Sequence, residues 1–316
     1  MNQPFVTIAI PTYNRGDSYL KDALKSATSQ NYQHLEIIVS NNCSEDNTEE
    51  IVKSFSDPRI RYFRQSTNVG MTKNLMFCLE QAKGDYFLLL NDDDMIDDDF
   101  VDECMKAAHY SADIGVILTG ARVINEDGTF LYESTNKAHG LSITDFFLAW
   151  FDHKVPFYDC ATLYNTKRLR ENGGFCSKKG LYDDNVALVI LAARFGRVDV
   201  RDVKTSFRRH GDNFGTTFAK IADWCEDSLY LLDVMCNLVP ENQDVVRRRG
   251  MVYFSIENYV RCTRIESLVK RIRAYLIVYK QFKYSYSPVH FINPKGILRK
   301  KVRNFMKAIN KDMQKN

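Results

Sequence analysis

The stretch FLLLNDDDMIDDDF, residues 87–100, joins an apolar strand to six aspartates and decides how the first half of the chain is interpreted. Asn91 and the acidic residues 92–94 follow the apolar run directly, and a second acidic group, residues 97–99, follows two apolar residues. Carboxylates held this close together repel each other unless water or a cation neutralises them. The stretch therefore predicts a strand end at which carboxylates meet a cation or another charged partner.

Upstream of this stretch, short apolar strands alternate with helical segments. The strand-like segments are FVTIAIPTYN, LEIIVSNN, IRYFRQ and DYFLLL, and the helical ones are SYLKDALKSATSQ, EDNTEEIVKSF and GMTKNLMFCLEQAKG. Such strands indicate an α/β fold with a parallel sheet covered by helices on both faces. Ligands bind at the carboxyl ends of the strands in these sheets. Tyr13, Asn41 and the acidic run all lie at such ends.

The second half of the chain changes from a mixed pattern to a helical one. DIGVILTGARVI, GTFLYES and RVDVRDVKTSFRRH are strand-like, whereas SITDFFLAWF and DDNVALVILAARFG have helical spacing. From about residue 216 only helical patterns follow. We therefore expect an α/β domain over residues 1–215 and a helical C-terminal region over residues 216–316.

The bulk composition excludes several classes of protein. The chain has 316 residues, of which 45% are hydrophobic, which suits one large domain or one domain with an extension. Its eight cysteines form no C-x-x-C pair, so they are expected to be reduced thiols in a cytoplasmic protein. No signal peptide is expected before the first strand, and no apolar run approaches the roughly 18–20 residues of a membrane span.

Charge is spread unevenly along the chain. Residues 261–316 contain 15 Lys/Arg against Glu266 and Asp312, while the remainder is acidic. Aromatic and cationic residues alternate there, which suits an anionic membrane surface on the inner face of the cell membrane. A solvated helical face is the alternative interpretation. Nucleic-acid binding is not expected, because no recognised nucleic-acid module accompanies the charge.

The acidic strand end is suited to a hard divalent cation. Mg²⁺ and Mn²⁺ prefer oxygen ligands, keep several waters and commonly bridge to the phosphates of a substrate. Asp92 and Asp93 are the better ligand candidates. Residues 97–99 fall where a helix should begin, and acidic residues there complement the helix dipole. The D-x-D-x-D-G spacing of an EF-hand is absent.

Six segments, in order, resemble the motifs of family 2 glycosyltransferases. They are VTIAIPTYNR, LEIIVSNNCSEDNT, RQSTNVGMTKNL, YFLLLNDDDMI, GGFCSKKGLYDDNVALVILAARFG and FRRHGDNFGT. Each motif alone is weak, but six at the usual spacing make a chance similarity improbable. The resemblance covers about 215 residues. It implies the GT-A fold, with a mixed, mostly parallel sheet, and a nucleoside diphosphate sugar as donor.

The resemblance assigns the diphosphate end of the donor site. It implies that Asp93 and His210 bind Mn²⁺ or Mg²⁺, which stabilises the charge on the departing diphosphate. Asp92 is expected nearer the ribose or a metal-bound water. Asn91 is also expected to bind the nucleotide, but it stands where many relatives have the first aspartate of D-x-D, so it contributes no charge. A histidine between two arginines, as at position 210, is also consistent with an ordinary surface residue.

The resemblance also assigns the nucleoside end of the site. It implies that Tyr13 stacks on the base and that Asn41, where relatives generally have aspartate, hydrogen-bonds the edge of the base. A buried structural ring is the alternative for Tyr13. The other residues expected to bind the nucleotide are Pro11, Asn14, Arg15, Asn68, Gly70 and Asn74. Gly70 fits a tight loop that needs an unusual φ, while Asn74 equally fits a helix surface.

Transfer requires a general base for the acceptor hydroxyl. The resemblance assigns this role to Asp184 and implies inversion at the anomeric carbon, with Asp183 orienting the acceptor. Capping of the following helix is the alternative role for Asp184. Trp150 lies in a long aromatic stretch that is expected to shape the acceptor site, although core packing of its ring is equally consistent with the pattern.

The sequence thus predicts an inverting, metal-dependent glycosyltransferase. A UDP- or dTDP-sugar is the expected donor, and a glycan or lipid-linked glycan of a surface polysaccharide is the expected acceptor. A non-catalytic member that binds nucleotide sugars or glycans, or scaffolds an assembly, is the alternative. A nucleotidyltransferase usually has a glycine-rich phosphate-binding loop near its N-terminus. That class is disfavoured because the corresponding segment here, PTYNRGDS, has a single glycine. Apolar positions such as Tyr275, Leu276 and Tyr279 could pair subunits in a homo-oligomer.

Overall fold

The computed structural model describes residues 3–211 and 221–292. The chain divides into two compact units. The first unit comprises Met1–Cys176 and Asp183–His210, and the second comprises Ser177–Tyr182 together with the chain from Gly211 onward. The boundary predicted near residue 215 falls among residues that the structure does not describe, so it stays a prediction.

The strands of the first unit form one sheet. In chain order, β1 to β9 are Val6–Thr12, Leu35–Asn41, Ile60–Arg64, Tyr86–Leu89, Met95–Ile96, Val116–Asn125, Phe130–Ser134, Thr162–Asn165 and Arg197–Arg209. Their spatial order is β3-β2-β1-β4-β8-β6-β9-β5, with β7 paired to β6. The strands β3, β2, β1 and β4 are parallel, whereas β8 runs antiparallel to both β4 and β6. The predicted mixed α/β fold class is confirmed.

Helices of the first unit follow the predicted alternation. In chain order, α1 to α7 are Leu20–Thr28, Thr48–Lys53, Met71–Gln81, Phe100–Ala107, Ile143–Phe151, Thr166–Glu171 and Asp183–Phe195. The sequence pattern does not predict the short elements β5, β8 and α6. Elements this short carry a signal only when a marked apolar run or flanking helical spacing accompanies them, and these three have neither.

Alternation along the central strands builds the two faces of the sheet. Val6, Ile8 and Ile10 of β1 join one buried cluster that also contains residues of α1 and α4. The intervening residues face the other way, where Phe87 of β4 lies 5.8 Å, between ring centroids, from Phe175. Because both faces are buried, these strands have continuous apolar sequences rather than alternating ones.

The second unit is helical in its described part. Its helices α8 to α11 are Ile221–Leu238, Gln243–Cys262, Leu268–Gln281 and Val289–Ile292. Tyr259 of α9 meets Tyr275 of α10 edge to face, with ring centroids 5.7 Å apart. Asp227 of α8 is fully buried and accepts hydrogen bonds from the backbone N–H groups of Lys179, Leu181 and Tyr182. This carboxylate fixes the conformation of the Ser177–Tyr182 segment.

In the second acidic group of the opening stretch, residues 97–99, Asp97 and Asp99 are paired with cations. Asp97 accepts hydrogen bonds of 2.6 and 2.8 Å from the two terminal nitrogens of Arg122 on β6. Asp99 lies 2.5 Å from the Lys204 ammonium of β9. Asp99 precedes α4, but its side chain makes no capping hydrogen bond. The helix-dipole interpretation of residues 97–99 did not include these ion pairs, which Asp97 and Asp99 form with residues of neighbouring strands.

Within residues 3–211 and 221–292, no helix is both long enough and apolar enough to cross a membrane.

Candidate active site

The first acidic group, residues 92–94, lies in the turn between β4 and β5. The Asp93 carboxylate Oδ2 lies 2.7 Å from Nε2 of His210, which directly follows β9. The two residues predicted as metal ligands are therefore in contact although 117 positions separate them in the chain. The imidazole of His210 also packs against Tyr19, with ring centroids 4.9 Å apart, and its side chain is 2% exposed. This packing fixes the orientation of the ring.

Arg208 anchors the end of β9 to the same turn. Its backbone N–H donates to Asp94 at 2.9 Å, and its guanidinium donates to the Asp93 carbonyl oxygen at 3.0 Å. The guanidinium also donates to the Asp22 carboxylate at 2.9 Å. Arg208 is buried, so these contacts hold His210 beside Asp93 and give the arginine a structural role.

Asp92 is held between its acidic neighbour and a cation. Burial and the adjacent charge of Asp93 raise the pKa of Asp92 to about 7, against the opposing effects of Arg15 and of a hydrogen bond from the Tyr13 backbone. The Arg15 Nε lies 3.8 Å from the Asp92 carboxylate. The turn after β1 and the turn after β4 therefore meet at these two side chains.

Asn91 lies between two carboxylates. Its amide Nδ2 is 3.4 Å from Asp94 Oδ2 and 3.4 Å from Asp159 Oδ2. Burial, and then the charge of Asp93, raise the pKa of Asp94 well above its ordinary value. An aspartate at position 91 would add another charge between the two carboxylates, whereas the amide donates to both. The carboxylates of Asp94 and Asp159 therefore explain why a neutral residue occupies position 91.

Asp184, the predicted general base, is paired with a second carboxylate. It lies in the first turn of α7. Burial and then the charge of Asp159, with a hydrogen bond between the two side chains, raise the pKa of Asp184 well above that of an ordinary carboxyl group. Asp159 begins a short 3₁₀ helix, Asp159–Ala161. The sequence did not predict a role for Asp159, because the stretch around it lacks a periodic pattern.

The two residues expected to orient the acceptor are both largely buried. Asp183 accepts a hydrogen bond of 3.3 Å from the Thr72 hydroxyl of α3. The ring of Trp150 stacks on Phe157, with centroids 3.9 Å apart and planes inclined by 9°, and is 6% exposed. This burial favours core packing as the role of Trp150.

The turn after β1 presents one aromatic ring to solvent. Tyr13 is 44% exposed, which leaves its ring accessible for stacking and disfavours the buried-ring alternative. Pro11 pairs with Ser40 in the parallel register of β1 and β2. Asn14 has a positive φ of 52°, a conformation that asparagine tolerates better than most residues. Its backbone N–H donates to the Ser44 hydroxyl at 2.8 Å.

Asn41 has a different environment from the one expected for a base-reading residue. It is fully buried at the end of β2. Its Nδ2 donates to the Tyr62 hydroxyl at 2.9 Å, and its Oδ1 accepts from the Ser44 backbone N–H at 2.8 Å. In this structure, Asn41 organises the turn after β2, and direct contact with a base would require these bonds to exchange.

The Asn68–Asn74 segment is fixed onto the turn after β2. Asn68 accepts hydrogen bonds from Asn42 at 2.9 Å and from the Gly70 backbone at 3.0 Å. Gly70 has a φ of 88°, in the region that favours glycine. Asn74 is buried and exchanges hydrogen bonds of 2.7 and 2.9 Å with Ser40, so it is not a helix-surface residue.

A cleft of ≈ 560 Å³ opens beside the turns after β1 and β2. It is lined by Asn14, Arg15, Asp17, Ser18, Glu45 and Asp46. Two predicted nucleotide-binding residues line it, whereas the acidic strand end does not. No cluster of three His, Cys, Asp or Glu side chains suited to a metal occurs in the described part of the chain.

The fold and the acidic strand end together define the class of protein. The family model "Glycosyl transferase family 2" matches residues 7–172, more than half of the chain. The chain therefore belongs to glycosyl transferase family 2.

Curated relatives carry the same kind of name. An uncharacterized glycosyltransferase of Rickettsia bellii is 35% identical over 132 residues, covering 41% of this chain and 19% of the relative. The GalNAc(5)-diNAcBac-PP-undecaprenol beta-1,3-glucosyltransferase of Campylobacter jejuni is 30% identical over 175 residues, covering 53% of this chain and 55% of the relative. The matches span only 15–28% of the length of three Rickettsia relatives.

Solved structures share the fold at low sequence identity. TarS 1–349 of S. aureus in complex with UDP-GlcNAc has a TM-score of 0.67 at 15% identity, covering 91% of this chain and 83% of TarS 1–349. The mannosyltransferase PcManGT of Pyrobaculum calidifontis, in complex with GDP-Man and Mn²⁺, has a TM-score of 0.57 at 15% identity, covering 89% and 74%. At this level of identity, the likeness shows the fold alone.

Proposed function

We propose that this protein is an inverting, metal-dependent glycosyltransferase that moves a sugar from a nucleoside diphosphate to a hydroxyl of a glycan acceptor. The observation that carries the proposal is the contact of 2.7 Å between Asp93 and His210. The family motifs alone predict that Asp93 and His210 bind the same metal ion. The fold brings them together from the turn before β5 and the end of β9.

The side chains of Asp93 and His210 offer ligand atoms that suit a divalent cation. One carboxylate oxygen and one imidazole nitrogen would hold Mn²⁺ or Mg²⁺, with water and diphosphate oxygens completing the shell. The imidazole nitrogen favours Mn²⁺, since Mg²⁺ binds chiefly oxygen. When bound, the cation would neutralise charge on the departing diphosphate. In this proposal, Asp92, which lies beside Arg15, would orient ribose or a metal-bound water.

Asp184 is the group that we expect to accept the proton of the acceptor hydroxyl. Its raised pKa, caused by burial and by Asp159, makes it a stronger base than an ordinary carboxylate. Asp159 holds its side chain through the hydrogen bond between them. Attack assisted by one base, without a covalent intermediate, inverts the anomeric configuration.

A UDP- or dTDP-sugar remains the favoured donor. Tyr13 provides an exposed ring for stacking on the base. Of the two structural neighbours, TarS is in complex with UDP-GlcNAc and PcManGT with GDP-Man. The fold therefore accommodates different nucleotides, and the choice of a pyrimidine rests on the motif resemblance.

For the acceptor, we favour a lipid-linked glycan in surface polysaccharide synthesis on the cytoplasmic side of the membrane. The name of the Campylobacter jejuni relative gives an undecaprenol-linked glycan. That relative shares 30% identity over 53% of this chain, so it supports the class of acceptor rather than its identity.

The proposal is tested by incubating the protein with UDP-, dTDP- and GDP-sugars, each with Mn²⁺, Mg²⁺ or a chelator. Released nucleoside diphosphate is then measured, with and without a glycan acceptor. Metal-dependent release from one donor, lost in Asp184→Asn while that variant still binds the donor, supports the proposal. Donor binding without any release would instead favour the non-catalytic alternative, which the neutral Asn91 leaves chemically reasonable.

A further inference from the structure

Helix α10 exposes a row of large apolar side chains. Leu268 is 59% exposed, Val269 61% and Leu276 57%. Ile272 is 37% exposed. At 100° per residue, these four side chains lie within about a third of the helix circumference. Scattered single apolar residues on a surface are ordinary, but a continuous row indicates a surface that meets another partner.

The opposite side of α10 already has its packing partners. Ala274, Tyr275 and Val278 are buried, and Tyr275 packs on Tyr259 of α9. Tyr275 therefore does not pair subunits, contrary to the sequence-based suggestion. The exposed row is not part of this core, so folding of the helical unit does not explain its apolar character.

Cations flank the apolar row. Lys270, Arg273 and Lys280 are exposed, and Arg273 and Lys280 lie next to Leu276 on the helical surface. The helix contains four Lys or Arg residues and no Asp or Glu. We call Leu268, Val269, Ile272, Leu276, Arg273 and Lys280 the α10 face. An apolar row bordered by cations matches an interfacial helix, whose apolar side chains enter a membrane surface while its cations meet anionic headgroups.

Two other occupants of this face are disfavoured by charge. Residues 293–316 contain eight Lys or Arg residues against Asp312, so they would bring cations to a cationic surface. A second copy related by a two-fold axis would place the α10 face against itself, with the same like-charge conflict. An anionic lipid surface satisfies both the apolar row and its cations.

We propose that the α10 face docks on a membrane containing anionic lipids. The attachment is peripheral. The cations interact with headgroups, and the apolar row enters the boundary between headgroups and acyl chains. This proposal rests on the helical unit alone and does not depend on catalytic activity in the first unit.

The test is co-sedimentation of the full chain with vesicles of phosphatidylcholine, or of phosphatidylcholine and phosphatidylglycerol in equal parts. We expect binding to the mixed vesicles that weakens with salt, and little binding to the neutral ones. Arg273→Gln/Lys280→Gln should lower the partition coefficient about 25-fold, at roughly fivefold per charge. Ile272→Ser/Leu276→Ser should lower it at least about tenfold through lost apolar burial.

The matched control is Lys53→Gln/Lys167→Gln, which removes the same charge from exposed lysines on α2 and α6. It should bind mixed vesicles within about twofold of the unmodified chain, because these sites lie outside the α10 face. All variants should keep the unmodified melting temperature, since the changed side chains are exposed.

Three results would overturn the proposal. The unmodified chain could fail to bind mixed vesicles. Alternatively, both α10 variants could bind as well as the control. Finally, analytical ultracentrifugation could show an oligomer that Ile272→Ser/Leu276→Ser disperses, which would assign the face to a second copy of the chain.

Discussion

The two acidic groups of the opening stretch have nearly the same sequence and different environments. Of residues 97–99, Asp97 and Asp99 are bound to cations of neighbouring strands, Arg122 and Lys204 respectively. In residues 92–94, Asp93 instead contacts His210, and Asp94 is buried with a raised pKa. A run of aspartates therefore does not indicate one role by itself, because the partners that the fold supplies differ from one aspartate to the next.

Carboxylates outside residues 87–100 show the same contrast between a raised pKa and an ion pair. The pKa of Asp94 and of Asp184 is raised, chiefly by burial, and the charge of Asp159 contributes to the shift of both. Such clusters destabilise a folded protein at neutral pH and are typical of functional sites. The ion-paired Asp97 and Asp99 should instead contribute modestly to stability. Substitutions in the two sets of carboxylates test this division, from the largest expected effect to the smallest.

The largest effect should come from Asp184→Asn. Transfer should fall about 10³-fold, because general-base assistance contributes roughly 10²–10⁴-fold. The free energy of unfolding at neutral pH should rise, because burial and the charge of Asp159 make the ionised Asp184 carboxylate unfavourable in the folded state. Activity assays and thermal unfolding of the same preparation measure both. A variant that loses activity and also becomes less stable would contradict the conclusion that the Asp184 carboxylate destabilises the folded protein.

Asp93→Asn should lower transfer about 10²-fold, because it weakens the hold on a cation that stabilises the leaving diphosphate. The apparent Mn²⁺ requirement should move to higher concentration. The control is Asp98→Asn, an exposed carboxylate of the second acidic group, which should leave both quantities unchanged. Equal effects of the two substitutions would remove the distinction between the groups.

The dependence of the transfer rate on pH should show how substitutions at Asn91 and Asp159 change the pKa of Asp184. The base must be ionised, so activity is lost as the pH falls through the raised pKa of Asp184. Asn91→Asp adds a charge near Asp159 and should move this acid limb to higher pH. Asp159→Asn removes the charge that raises the pKa and should move the limb to lower pH. Shifts of the same sign in both variants would refute the proposed coupling.

The smallest effect should come from Asp97→Asn. This change breaks the pair with Arg122 and should lower the free energy of unfolding by about 0.5–1 kcal/mol, as expected for a partly exposed ion pair. Transfer should stay within about twofold of the unmodified chain. Denaturant unfolding and a rate assay would check this. A large loss of activity would show that the second acidic group takes part in the site.

Local patterns and family motifs are the features that the sequence predicts well. The alternation that produces β1 to β4 is visible because each strand is apolar throughout, and the motif order identifies Asp93 and His210 before their contact is known. Asp159 could not be identified, because its role depends on contact with Asn91, 68 residues away. The pairing of Asp97 with Arg122 likewise depends on how β5 and β6 are placed in the sheet. Such contacts arise from tertiary packing and leave no periodic signal.

The most direct test of the central claim is calorimetric titration of UDP and dTDP into the protein, with and without Mn²⁺. The comparison includes the unmodified chain, Asp93→Asn and Asp98→Asn. We expect Mn²⁺-dependent binding of one nucleotide by the unmodified chain and by Asp98→Asn, and its loss in Asp93→Asn. Nucleotide binding that is the same with and without Mn²⁺, and the same in Asp93→Asn, would contradict the assignment of the diphosphate site to Asp93 and His210.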